Sequence, residues 1–302
     1  MFGDLILNQL ENQTPEGGRW RLDDSKLWYL SEDQAKAYLK ATEGEKYHTS
    51  FFSKEEVLLE KHKEEIVKSL PDDVAIIDLG CGTAEKSLIK VEEAIKQGKN
   101  ARFHLVDVNP YFLTLAIRNS KEIGCIPVAH LDLIENFPII FGKIREKNDA
   151  IYIHFGPNHV NFEAGFLKKI KKSMTKKDAI YISAHQMRNE KNVDEIIAGY
   201  ATKEVEEMNF KVLEMVGFDK KHLQYGVRLN NDTIECYFTV KSVPEYLEYL
   251  GIKPGHEIIV VTSRKPTLEE FEQLLSIFDY KMWLNDERDF AIAVCKLKES
   301  KK

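Results

Sequence analysis

A glycine turn follows the first sustained apolar run of this 302-residue chain, in the stretch AIIDLGCGTAEKS from Ala75 to Ser87. An aspartate, Asp78, ends the apolar run, and Gly80 and Gly82 follow with one residue between them. Glycines so placed let the backbone turn sharply and approach a ligand closely. A phosphate, a dinucleotide and an adenosyl sulfonium are the three usual ligands of such a turn. A phosphate loop needs Lys-Ser/Thr directly after its last glycine, whereas Gly82 is followed by Thr83, Ala84 and Glu85. The dinucleotide pattern needs a small residue at position 85, where helix packs closely on strand, and Glu85 does not suit that packing. A sulfonium carries no pyrophosphate, so its loop needs bare backbone and no anion cradle.

Two further acids fall in step with the turn. Asp107 ends the run HLVDV, 25 residues after Gly82. A carboxylate at the tip of a second strand can accept hydrogen bonds from both hydroxyls of a ribose. Asp132 and Leu133, in HLDL, stand at the next strand end. All three places lie at carboxyl ends of neighbouring strands, where open α/β sheets bind their ligands.

The elements that must hold these residues are legible from their rhythm. Strands VAIIDL, ARFHLVDV, IPVAHLDL, DAIYIHFG and DAIYISAHQ alternate with helical stretches at about 84–97, 110–120 and 163–174; a connection without an assigned helix separates the third strand from the fourth. Ile- and Val-rich runs separated by helices predict βαβ units and a parallel sheet covered on both faces. Asn109 and Pro110 predict a capped helix start. Helices are also expected at 31–42, behind a Ser31 cap, and at about 53–69. After residue 190 the style changes. A helical stretch at 193–216 leads into two β-rich runs around Asn230–Asn231–Asp232, which read as a hairpin. The expected organisation is α/β: a polar, irregular N-terminal segment at 1–30, a main domain at 31–190 and 264–302, and a smaller inserted α+β domain at 191–263.

Composition excludes several function classes. A net charge of −6 argues against a general nucleic-acid binder. The lysines between Lys168 and Lys177 read as a solvated helix face. Cys81, Cys125, Cys236 and Cys295 lie far apart with no CxxC pair, which predicts reduced thiols, no zinc site and a cytoplasmic setting. The N-terminus has no basic region ahead of its short apolar run, so no secretory leader is expected. No apolar stretch approaches the roughly 20 residues that span a bilayer.

Asp78-x-Gly80-x-Gly82-x-Ala84 resembles motif I of the Rossmann-like S-adenosylmethionine (SAM) methyltransferases, with alanine in the third glycine's place. IHFGPNHVNF, at 153–162, narrows the likeness: glycine followed by asparagine five residues later resembles the G-x-x-x-x-N loop of the histidine-specific methyltransferases. The similarity covers most of the chain from about Trp28. It implies a class I SAM methyltransferase sheet with a substrate domain inserted in it, SAM as cofactor, and N-methylation of an amino acid or related small amine. It implies SAM contacts at Gly80, Lys86 and Asp107, with the adenine beside Asp132 and Leu133; Asp78 and Gly82 complete motif I. On the acceptor side it implies Gly156, with Asn161 and Tyr200 as the candidate catalytic residues, one from each domain, orienting the acceptor. The family segment T-E-x-S-x-K falls on Val260–Lys265, which keeps Ser263 but has Val261 at the glutamate position. His154 and His159 are candidate proton acceptors near the same loop. A protein or RNA methyltransferase and a non-catalytic SAM-binding protein are the competing readings.

Overall fold

The computed structural model describes residues 2–44, 53–156 and 164–299. The chain forms two compact units, Phe51–Met187 with Pro266–Lys302, and Met1–Ser50 with Arg188–Lys265.

The larger unit is built on a seven-stranded sheet. Its strands are β2 (Asp73–Leu79), β3 (Asn100–Asp107), β4 (Val128–Leu131), β5 (Ile151–Phe155), β6 (Ala179–Ala184), β10 (Asp279–Leu284) and β11 (Ala291–Lys296), in the order β10-β11-β6-β5-β2-β3-β4. Five neighbouring strands run parallel, and only β11 opposes its neighbours. Side chains alternate between two cores, as the two-residue period of a strand requires. In β2, Ala75, Ile77 and Leu79 enter one core while Val74 and Ile76 enter the other. In β5, Ile151, Ile153 and Phe155 share the first core, and Tyr152 joins the second.

Helices α3 (Ser53–Lys68), α4 (Glu85–Lys96) and α5 (Pro110–Glu122) cover one face. Helices α6 (Phe137–Arg145), α7 (Ala164–Ser173) and α10 (Leu268–Leu275) cover the other. Each large apolar side chain so buried stabilises the fold by about 1.5–3 kcal/mol. The parallel sheet expected from the alternation is therefore present. The connection at 134–148, by contrast, contains α6. Phe137, Ile140, Phe141 and Ile144 keep a spacing of three and four residues and all are buried, which is the stripe of an amphipathic helix.

The smaller unit carries a second sheet, ordered β1-β9-β8-β7. Its strands are β1 (Arg19–Arg21), β7 (Leu223–Asn230), β8 (Thr233–Val240) and β9 (Glu257–Arg264). Strands β7 and β8 form the expected hairpin, with Asn231 in the left-handed conformation that asparagine tolerates. The helical stretch at 193–216 divides into α8 (Val193–Tyr200) and α9 (Lys203–Glu214), where Thr202 caps the second helix by accepting from the Val205 N–H. The N-terminal segment is not irregular. Phe2–Glu11 is a helix, α1, that buries Ile6 and Leu10 one turn apart, and β1 pairs parallel with β9. Helix α2 (Glu32–Glu43), capped by Ser31 and Gln34 in a reciprocal box, packs on α9. Residues 31–44 thus belong with the second sheet instead of the parallel one. Among the described residues no helix is long and apolar enough to cross a membrane.

Candidate functional site

The glycine turn stands at the carboxyl end of β2, in the middle of the large sheet. Gly80 and Gly82 have φ of 72° and 52°, a left-handed backbone that side chains resist. Among the described residues, an added Cβ at Gly82 would meet no atom within 4 Å, so the turn faces open space there. Ala84, in the third glycine's place, is also left-handed, at φ 63°, and precedes the first turn of α4. An alanine so held is strained by roughly 1–2 kcal/mol, and strained backbone of this kind collects at functional sites. Glu85 points to solvent.

The turn is clamped onto the end of β3. The Val106 carbonyl accepts from the Gly80 and Cys81 N–H groups at 2.8 and 3.0 Å. Asp107 completes the clamp: one oxygen accepts from the Gly82 N–H at 2.9 Å and the other from the Asn109 N–H at 2.8 Å. Burial raises the Asp107 carboxyl from its ordinary value, and these backbone donors oppose the rise. The Val108 N–H is a third backbone donor to this carboxylate, and the roughly four lone-pair sites of a carboxylate leave room beside the three for a ligand donor. Asp132 lies alongside, its N–H bonded to the Asp107 carbonyl at 3.0 Å. Its Oδ1 accepts from the Leu133 N–H and the Asn136 amide, while Oδ2 has no partner among the described residues.

Asp78 is placed differently. It is buried behind the turn, and its carboxylate accepts from the Ser87 hydroxyl at the start of α4. Burial pushes this carboxyl up to about 7. Lys86, one residue before Ser87, reaches from the first turn of α4 to Glu55 on α3.

Of the expected acceptor-side residues, Gly156 follows β5 in this unit and is buried. Asn161 and His159 lie outside the described residues. His154 stacks on Tyr181 with ring centroids 4.6 Å apart, and burial holds its imidazole well below its usual range. It is therefore neutral. Among the described residues, no three His, Cys, Asp or Glu side chains are grouped to hold a metal ion.

Tyr200 and Ser263 belong to the smaller unit. Tyr200 ends α8, and its carbonyl accepts from the Tyr225 hydroxyl at 2.9 Å. The Lys265 ammonium lies 5.1 Å from the centre of the Tyr200 ring. Ser263 pairs with Ile234 across β8 and β9, and the buried Val261 pairs with Cys236 beside a bulge.

Lys265, directly after β9, is enclosed, which is rare for a lysine. Burial pushes its ammonium down to about 7. Below pH 7 both folded and unfolded chains hold the proton, and the full cost of burying the charge is present. Between about 7 and the ordinary value of 10.5, the folded chain binds fewer protons, so stability climbs with pH. Thermal melts of wild type and Lys265→Met from pH 6 to 9 should show wild type gaining on the variant as pH rises. A constant gap would contradict this.

The described geometry sets an open glycine turn beside two strand-end acids. The profile described as "Histidine-specific methyltransferase, SAM-dependent" matches residues 25–297. The chain belongs to this family of SAM-dependent methyltransferases. Its parallel sheet, extended by the antiparallel β11, is the Rossmann-like class I sheet expected for such an enzyme.

Among solved structures, a SAM-dependent methyltransferase from Clostridium acetobutylicum is similar over 82% of this chain and 91% of its own, at 14% identity and a TM-score of 0.44. The plantazolicin methyltransferase BpumL, in complex with SAH, is similar over 98% of both chains at 14% identity and a TM-score of 0.42. No curated protein matches the chain in sequence.

Proposed function

We propose that this methyltransferase transfers the methyl group of SAM to the amine of a histidine-like amino acid or a related small amine. The observation that carries the reading is the pairing of an open left-handed turn at Gly82 with the Asp107 clamp, in a chain matched by the family profile almost throughout. The residues fit the cofactor. Gly80 and Gly82 offer bare backbone, the Asp107 carboxylate stands at the strand end to accept from the ribose, and the second oxygen of Asp132 stands beside Leu133 for the adenine. Asp78 acts from behind, tying the turn to α4 through Ser87.

SAM supplies an electrophilic methyl group on a sulfonium. What remains for the protein is to align a neutral amine with it and to exclude water. Gly156, Asn161, Tyr200 and Ser263 are the residues assigned to hold the acceptor. Val261 bears on its identity. A carboxylate bonded to an imidazole N–H rejects wrong substrates by being left unpaired, and valine has no such bond to lose. The acceptor set is accordingly broader than histidine alone. The four free, buried cysteines support a reducing, cytoplasmic setting.

Incubation with methyl-labelled SAM separates the possibilities. Presented with amino acids, small-metabolite extract, protein and RNA, the enzyme should label the small-molecule fraction at an amine. Label found only in protein or RNA would overturn the assignment of the acceptor.

A further inference from the structure

Helix α3 carries a charged residue on its apolar face. Glu55 stands three and four residues before Leu58 and Leu59, and all three are buried. Its carboxylate is fully enclosed, yet it gathers three donors. The Tyr181 hydroxyl donates to Oε1 at 2.6 Å, while Oε2 meets the Lys86 ammonium and the His185 Nε2. Burial alone would raise the Glu55 carboxyl, but Lys86 and His185 hold it well below its ordinary range. It is an ionised group in the interior, and such a group persists only when its partners are well placed.

Lys86 is the most accessible member of this cluster, at 13% side-chain exposure against 8% for His185 and 0% for Glu55. Both ends of Lys86 are fixed. Glu55 holds its ammonium, and the enclosed Lys90 donates to its carbonyl at 3.1 Å while resting 4.1 Å over the Tyr181 ring. An ammonium in the first turn of a helix, directly after an open glycine loop, adds to the positive end of the helix dipole. SAM has a single anionic group, its α-carboxylate.

We propose that Glu55 is a positioning residue. Acting through Lys86, it fixes an ammonium beside the glycine turn for the α-carboxylate of the methyl donor, and Tyr181 and His185 hold Glu55 in turn. The inference rests on the reading of this turn as the SAM site. Glu55 does not touch the donor, because it has no exposed surface.

The test compares S-adenosylhomocysteine with 5′-methylthioadenosine, which keeps the adenosine and thioether but lacks the amino-acid end. By calorimetry, Glu55→Gln should bind S-adenosylhomocysteine about 10-fold more weakly and methylthioadenosine within about twofold of wild type. Lys86→Met should show the same selectivity, and adding Glu55→Gln to it should cost little more, because coupled residues are not additive. Equal weakening of both ligands in Glu55→Gln would mark a merely structural role and overturn the proposal. So would unchanged affinity for S-adenosylhomocysteine, or full additivity with Lys86→Met. If Glu55→Gln does not fold, Tyr181→Phe, which removes only the hydroxyl on Oε1, is read by the same criterion. Wild type binding neither ligand would remove the donor site itself, a result distinct from loss of selectivity.

Discussion

Asp107→Ala is expected to weaken binding of S-adenosylhomocysteine by about 100-fold, with Asp107→Asn between it and wild type. Two effects combine. The carboxylate lone pairs that face the ribose are lost, at about 1.5 kcal/mol for each charge-assisted hydrogen bond, and two such bonds amount to roughly two powers of ten in affinity. The Gly82 and Asn109 N–H groups also lose their acceptors, so the turn and the start of α5 are no longer tied together. Titration calorimetry reads the affinity, and a thermal melt verifies that the variant is folded. Unchanged affinity in a folded variant would contradict the assignment of Asp107 to the ribose.

The second large effect falls on stability. Asp178 is fully buried just before β6. Its carboxylate accepts from the Ile151 N–H at 2.7 Å, from the Thr175 N–H at 2.5 Å and from the Arg145 guanidinium. It thereby joins the entry of β5, the entry of β6 and the end of α6. Those two strands deliver Gly156 and His185 at their far ends. Asp178→Ala would leave the Ile151 and Thr175 N–H groups without their acceptor and take one acceptor from the Arg145 guanidinium, whose Nη1 keeps the Asn148 and Asp149 carbonyls; at about 1–3 kcal/mol for each stranded donor the cost is about 3–5 kcal/mol. The thermal midpoint should drop by roughly 10 °C. Denaturant unfolding checks the free energy directly, and a loss under about 1 kcal/mol would show that the carboxylate is not the junction described.

The central sheet, and the placing of the glycine turn and Asp107 at neighbouring strand ends, were legible because their signals are local. An apolar run, a glycine turn and a capped helix lie within some twenty residues, and β3 repeats the pattern with Asp107 at its end. The unread parts depend on distant pairing or on small departures from a pattern. Strand β1 is three residues long and pairs with β9, whose partners Glu257–Ile259 are more than 230 residues away; nothing local marks it. Helix α6 begins with Phe137 and Pro138, and its four buried residues were lost in a stretch that otherwise reads as a link. Glu55 did leave a trace. A glutamate in phase with Leu58 and Leu59 is a charge on the buried stripe of a helix, and a phase test along α3 would have found it. Tyr181 and His185 carry no comparable mark, since strand residues buried on both faces look alike in sequence.

The most direct test is a crystal structure of the protein grown with S-adenosylhomocysteine. The ribose hydroxyls should lie within hydrogen-bonding distance of Asp107, with the thioether over the Gly80–Gly82 turn and the adenine beside Asp132 and Leu133. An empty turn, or a ligand bound at another place with Asp107 still bonded only to backbone N–H groups, would contradict the account.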